Sequence, residues 1–129
     1  MKKASFVQAI LRSARERKPL RVVSDQTVSP TCVKDAAKII LHLVSAPVAS
    51  GIYHVVNSGV TSWHAMAERI LSRAGIHAEV APVRTAEFGG RALRPSYSAL
   101  SNAKVVELYG PIRSWEDALG EYLDEAEGQ

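Results

Sequence analysis

Three arginines, Arg84, Arg91 and Arg94, fall in one long stretch of the chain without convincing helical or strand periodicity. A guanidinium is a planar fork that makes paired hydrogen bonds to phosphate oxygens, so arginines in a loop can grip an anion. The plainer alternative is that they are solvated surface side chains. Gly89-Gly90, in the same stretch, would either let backbone approach a ligand or act as a hinge.

Other chemistry is hard to place. None of the eight glycines lies in a G-x-G-x-x-G or G-x-x-x-x-G-K pattern, so the backbone cradle of a dinucleotide or P-loop site is missing. A reductase of the short-chain type needs a tyrosine four residues before a lysine. Counting four on from Tyr53, Tyr97, Tyr109 and Tyr122 gives Asn57, Ser101, Arg113 and Ala126. The nearest approach, Tyr109 with Arg113, fails because Gly110-Pro111 breaks the helix that would align the pair. His42, His54, His64 and His77 stand singly, without the helical spacing that sets two ligands on one face, and no G-x-S-x-G elbow is present. Catalytic residues are therefore expected to be absent, and no metal site is expected.

The 129 residues, nearly half of them hydrophobic, suffice for one core, and a single domain over 1–129 is the expectation. Cys32 is the one cysteine, which excludes an internal disulfide and reads as a small buried apolar residue. No apolar run approaches the roughly 20 residues of a membrane span, and the start of the chain lacks a signal-peptide core, so a soluble cytoplasmic protein is expected. The net charge of +3 is uneven. Lys2, Lys3, Arg12, Arg15, Arg17, Lys18 and Arg21 crowd the first part, whereas Glu116, Asp117, Glu121, Asp124, Glu125 and Glu127 fill the last. Basic residues are not interleaved with aromatics, so nucleic acid is not an expected partner.

Several elements would have to position the arginine loop. Phe6, Val7, Ile10, Leu11 and Ala14 recur at helical spacing up to Lys18-Pro19, and Leu20 to Ser24 reads as a strand. Val33, Ala36, Ala37, Ile40, Leu41 and Val44 form a broad apolar stripe on a second helix that ends near Pro47. Ile52-Tyr53-His54-Val55-Val56 reads as a mostly buried strand. A third helix starts at Thr61 or Ser62, buries Trp63, Met66, Ala67, Ile70, Leu71 and Ala74, and stops at Gly75. Ala78 to Val83 suits a short edge strand that tolerates Pro82. After the arginine loop, with a possible turn at Thr85 to Phe88, two helices close the chain. One is capped by Ser101 and the other by Ser114, with Trp115, Ala118, Leu119 and Tyr122 as the buried face of the latter. The fold class is α/β: a small lobe with a short, mainly parallel sheet of three strands and about five helices. Such a sheet wants cover on both faces, which leaves room for a missing neighbour.

Five segments carry a resemblance: Ser5-Phe6-Val7; Leu20 through Ser24 with Asp25-Gln26-Thr27-Val28-Ser29-Pro30-Thr31; Gly51-Ile52-Tyr53-His54; Thr61-Ser62-Trp63; and Arg94-Pro95-Ser96-Tyr97-Ser98-Ala99-Leu100. In order and spacing they resemble the C-terminal half of dTDP-4-dehydrorhamnose reductase, an extended short-chain reductase. The Asp-Gln-x-x-Ser-Pro-Thr loop and the Arg-Pro-x-x-Ser-x-Leu segment are the most specific parts.

The resemblance implies a two-part enzyme. Its N-terminal Rossmann domain, absent from this sequence, would bind NADPH and supply the catalytic Thr/Ser, Tyr and Lys. The C-terminal lobe would hold a dTDP-sugar while its C4 ketone is reduced, giving dTDP-L-rhamnose for cell-surface polysaccharide. No cofactor is then expected in this chain. The expected partners are a dTDP-sugar and a cofactor-binding domain in cis or in trans, with a homodimer possible. By the same resemblance Arg94 is the diphosphate ligand; Arg91 is a further candidate from its place in the arginine loop. Ser5 stands where the family has asparagine, and Val28 where it has glycine. Asp25 and Gln26 would line the substrate cleft, or merely bond their own loop. The competing reading is a stand-alone relic lobe that binds another protein through an apolar patch left where the Rossmann domain would dock.

Overall fold

The computed structural model describes residues 3–128, and Lys2 of the basic cluster lies outside them. The chain forms α1 (Phe6–Arg15), β1 (Leu20–Val23), β2 (Thr27–Val28), α2 (Val33–Ser45), β3 (Thr61–Ser62), α3 (Trp63–Arg73), β4 (Val80–Val83), α4 (Thr85–Phe88), α5 (Ala103–Tyr109) and α6 (Trp115–Glu127). These group into two compact units, one of residues 1–27 and 61–97, the other of residues 28–60 and 98–129.

In the first unit, α1 opens on a reciprocal cap. The Gln8 amide donates to Ser5 Oγ at 3.3 Å, and the Ser5 amide donates to the Gln8 side chain at 3.2 Å, which pairs two amides that a helix start leaves free. Beyond its end, Arg17 takes a left-handed φ of 54°, normally a glycine's conformation, while the Lys18 amide reaches back to the Ser13 carbonyl. β1 and β4 pair in parallel, Leu20 opposite Val80 and Val23 opposite Val83. Pro82 costs nothing there, because the sheet has two strands and every strand is an edge. α3 packs on both strands and on α1, burying Met66, Ala67, Ile70 and Leu71 against Ile10, Leu11, Leu20 and Val22. Its Ser62 cap and the left-handed Gly75 after its end are where the sequence places them. Trp63 is only partly buried and leans on Phe6, ring centroids 4.9 Å apart.

The second unit is built around a polar side chain. Asn57 is 1% exposed. Its Oδ1 accepts from the Cys32 amide at 2.7 Å, tying down the start of α2, while its Nδ2 donates to Asp35 and to the Arg113 carbonyl. Arg113 in turn donates through Nε to Asp35 at 2.7 Å and pairs with Glu121. The apolar cover over this network is Ile39, Val56, Val105, Trp115, Ala118, Leu119 and Leu123. The acidic last helix finds cations within its own unit, Lys34 with Glu125 and Arg113 with Glu121.

The apolar stripe of α2 is its exposed face: Val33 is 82%, Leu41 66% and Val44 75% exposed, and the buried residue is Ile39 on the other side. An apolar stripe records that a face needs cover, not that the same unit supplies it. Residues 52–56 form no strand, so the sheet expected to have three strands is a parallel pair, beside two-residue strands. Tyr122 is exposed where burial was expected, and Leu123, one position on, takes the interior. α5 follows Asn102, with no side-chain cap bond, although the Ser101 hydroxyl still accepts from the Ala103 amide at 3.3 Å. With α4 the helices number six among the described residues.

Candidate functional site

The Asp-Gln-x-x-Ser-Pro-Thr loop leaves β1, and its first residues are fixed by Thr85 at the start of α4. The Thr85 amide and hydroxyl both donate to the Asp25 carboxylate, at 3.0 and 2.6 Å to Oδ1, and Gln26 Nε2 donates to the Thr85 hydroxyl at 3.1 Å. A carboxylate before a helix start is well matched to the free amides there. These bonds, the Thr85 hydroxyl first, hold the Asp25 carboxyl below its ordinary pKa. Gln26 is buried and Asp25 exposed, so both side chains bond within the fold while one face of Asp25 still meets solvent.

The same loop lies against the Arg-Pro-x-x-Ser-x-Leu segment. The Thr27 amide donates to the Ser96 carbonyl at 2.8 Å, and Thr27 and Tyr97 form a parallel bridge. In the second unit the Leu100 amide donates to Ser29 Oγ at 2.9 Å. The two segments most specific to the resemblance are thus held side by side at two points, one in each unit. Arg94 follows from this: it lies two residues before Ser96, exposed, and makes no hydrogen bond or ion pair with a described residue. Arg91 is equally exposed and unpaired among the described residues. Both guanidinium forks are free to meet an anion.

The other candidates are placed differently. Ser5 is exposed and serves as the α1 cap, so its hydroxyl already accepts one bond. Val28 is half-buried on the second unit's side of the boundary. Gly89 ends α4 with φ 71°, which gives the glycine pair a structural task at the mouth of the arginine loop. Thr85 is the position that motif reading missed. Thr85 lies 60 residues from Asp25 in sequence, and its one signal is the short turn at 85–88. His64 is occupied by the Val80 carbonyl at 2.8 Å, and the described residues hold no cluster of His, Cys, Asp and Glu able to bind a metal. No helix among them is long and apolar enough to cross a membrane.

The spore coat polysaccharide biosynthesis protein SpsK of Bacillus subtilis is 43% identical over 122 residues, which cover 95% of this chain and 42% of that protein. The dTDP-4-dehydrorhamnose reductase of Mycobacterium tuberculosis is 38% identical over 120 residues, covering 92% of this chain and 40% of the relative. Among solved structures, the dTDP-4-dehydrorhamnose reductase of Bacillus anthracis in complex with NADP superposes with a TM-score of 0.87 at 37% identity, over 97% of this chain and 44% of that one. The chain therefore spans less than half the length of these relatives. The family model described as the RmlD substrate binding domain matches residues 1–127. With its two characteristic segments side by side and that match running along almost its whole length, the chain belongs to the RmlD substrate binding domain family.

Proposed function

We propose that this chain is the substrate-holding part of a dTDP-4-dehydrorhamnose reductase. It grips the dTDP-sugar, and a cofactor-binding domain in cis or in trans reduces the C4 ketone with a hydride from NADPH. The observation that carries this reading is the Thr27–Ser96 tie, which sets the Asp25-Gln26 loop beside the segment bearing Arg94. Arg94 is the diphosphate ligand in this proposal, with Arg91 as a second donor to the same oxygens. An arginine with no internal carboxylate partner keeps its full fork for a ligand. Asp25 and Gln26 act mainly by holding the floor of the cleft to Thr85, and the free side of Asp25 can meet a sugar hydroxyl.

The residues present do not fit NADPH: no glycine pattern opens a helix to a pyrophosphate, and no tyrosine has a lysine four residues on. No chemical step is therefore assigned to this chain. Binding should be weak in isolation, since a ligand held between two domains has lost half its contacts. Calorimetric titration of the chain with dTDP-L-rhamnose tests the reading. Binding that Arg94→Ala weakens at least about fivefold, as loss of a charge-assisted bond entails, supports it. NADPH-dependent ketone reduction by the chain alone would refute it, as would affinity indifferent to Arg94.

A further inference from the structure

One polar side chain of the first unit is buried yet not fully paired. Gln26 is 9% exposed, and its Nε2 donates to the Thr85 hydroxyl at 3.1 Å. Its Oε1 has no partner among the described residues. Nor is that oxygen enclosed, because no side-chain N or O atom shut away from solvent among them lacks a bond. Oε1 therefore opens on the surface while the rest of the side chain is held inside. Which way round the amide sits follows from counting protons. The Thr85 hydroxyl has one proton and two lone pairs. Asp25, held below its ordinary pKa by that hydroxyl and by the Thr85 amide, is ionised near neutrality and can only accept. The proton therefore goes to Asp25 Oδ1, at 2.6 Å. The hydroxyl oxygen is left to accept, and only the NH2 end of Gln26 can donate to it. The carbonyl end must point away from Thr85.

An amide fixed in this way offers an acceptor and nothing else, since turning it over would cost the bond to Thr85. The Asp25 carboxylate in the same network is exposed and keeps lone pairs beyond those that Thr85 occupies. A surface of acceptors suits the hydroxyl groups of a ligand. It repels the edge of a thymine, whose N3–H lies between two carbonyls. We infer that Gln26 Oε1 accepts a hydrogen bond from a hydroxyl of the bound nucleotide sugar, with Thr85 as the positioning residue that keeps the amide in that orientation. The choice of ligand rests on the function proposed above. Its place beside the ligand follows from the chain: Thr27, the next residue, bonds to Ser96, two residues on from Arg94. Two hydroxyl sources fit, the hexose and the 3′-hydroxyl of the deoxyribose.

The test crosses protein variants with ligand variants in calorimetric titrations of the chain. Gln26→Leu should weaken binding of dTDP-L-rhamnose at least about fivefold, the effect of one lost bond. With the hexose as donor, the same variant should weaken dTDP by less than about twofold. With the deoxyribose as donor, dTDP should lose as much as the sugar nucleotide, and 3′-deoxythymidine diphosphate should lose nothing. Thr85→Val, which frees the amide to turn over, should weaken the same ligands as Gln26→Leu, and Thr85→Ser, which restores the hydroxyl, should not. A side chain that merely shapes the loop would weaken all three ligands alike, so a uniform loss overturns the inference, as does no loss with any of them. Should thermal melting show that Gln26→Leu does not fold, the Thr85 pair makes the same comparison. Indifference to Gln26→Leu while Arg94→Ala still weakens binding sinks this inference alone. A chain that binds neither dTDP nor dTDP-L-rhamnose sinks it together with the functional reading.

Discussion

The Thr27 amide donates to the Ser96 carbonyl at 2.8 Å, joining two segments nearly seventy residues apart along the chain. In the second unit Ser29 Oγ, accepting from the Leu100 amide at 2.9 Å, repeats the junction. Ser29→Ala should leave the fold intact and release the Leu100 amide. Its exchange should quicken roughly fivefold, corresponding to about 1 kcal/mol for one net hydrogen bond, and dTDP affinity should fall with it. Unchanged exchange at Leu100 would mean that the bond does not form in solution.

Asn57 should be the least replaceable polar residue. Asn57→Ala leaves the Cys32 amide without its partner and takes one of two bonds from Asp35 Oδ2 and from the Arg113 carbonyl, which keep Arg113 Nε and the Ser58 amide. Orphaning that amide and opening a small cavity costs about 1–3 kcal/mol. Urea unfolding should register it as a lower midpoint with an unchanged slope.

Acid should weaken the same network. The Asp35 carboxyl lies below its ordinary pKa, chiefly through its bonds to Arg113 and next through Asn57, and Asp25 is lowered by Thr85. A carboxyl whose folded pKa is below its unfolded value adds stability that is fully present above the unfolded value, about 3.9, and is lost as pH falls through the folded one. Stability should therefore be flat in these groups near neutrality and decline below about pH 4. Asp35→Asn should lower the plateau and flatten that decline; an unaltered acid limb would exclude Asp35 as its source.

Two backbone positions give opposite signs. Arg17 holds φ 54° with an exposed side chain, so Arg17→Gly should stabilise by about 0.5–1 kcal/mol. Gly59 holds φ 91°, and a Cβ there would lie 3.1 Å from the Trp115 ring. Gly59→Ala should destabilise by roughly 1–3 kcal/mol. Thermal melting of the two variants checks both signs.

Much of this was legible in the sequence where one local rule sufficed. The periodicity of α1, α2 and α3, the Ser5, Ser62 and Ser114 starts and the Gly75 stop depend on neighbours within a turn or two, and the structure has them in place. What failed depends on a partner. The α2 stripe and residues 52–56 have the composition of buried elements, but composition does not say whether this chain buries them. The arginine loop and its two motif segments stand out in the sequence, with Arg94 in one of them. Thr85 was not, because a hydroxyl acquires its meaning here only from Asp25 and Gln26, brought together by the parallel pairing of β1 with β4.

The central claim is that the paired segments hold a nucleotide diphosphate through Arg94. Its most direct test is an amide and guanidinium NMR titration of the chain with dTDP. The account predicts shifts concentrated at residues 24–29 and 94–100, with the Arg94 Nε resonance among the largest, and their loss in Arg94→Ala. Shifts confined to α2 or α6, or none at millimolar dTDP, would contradict it.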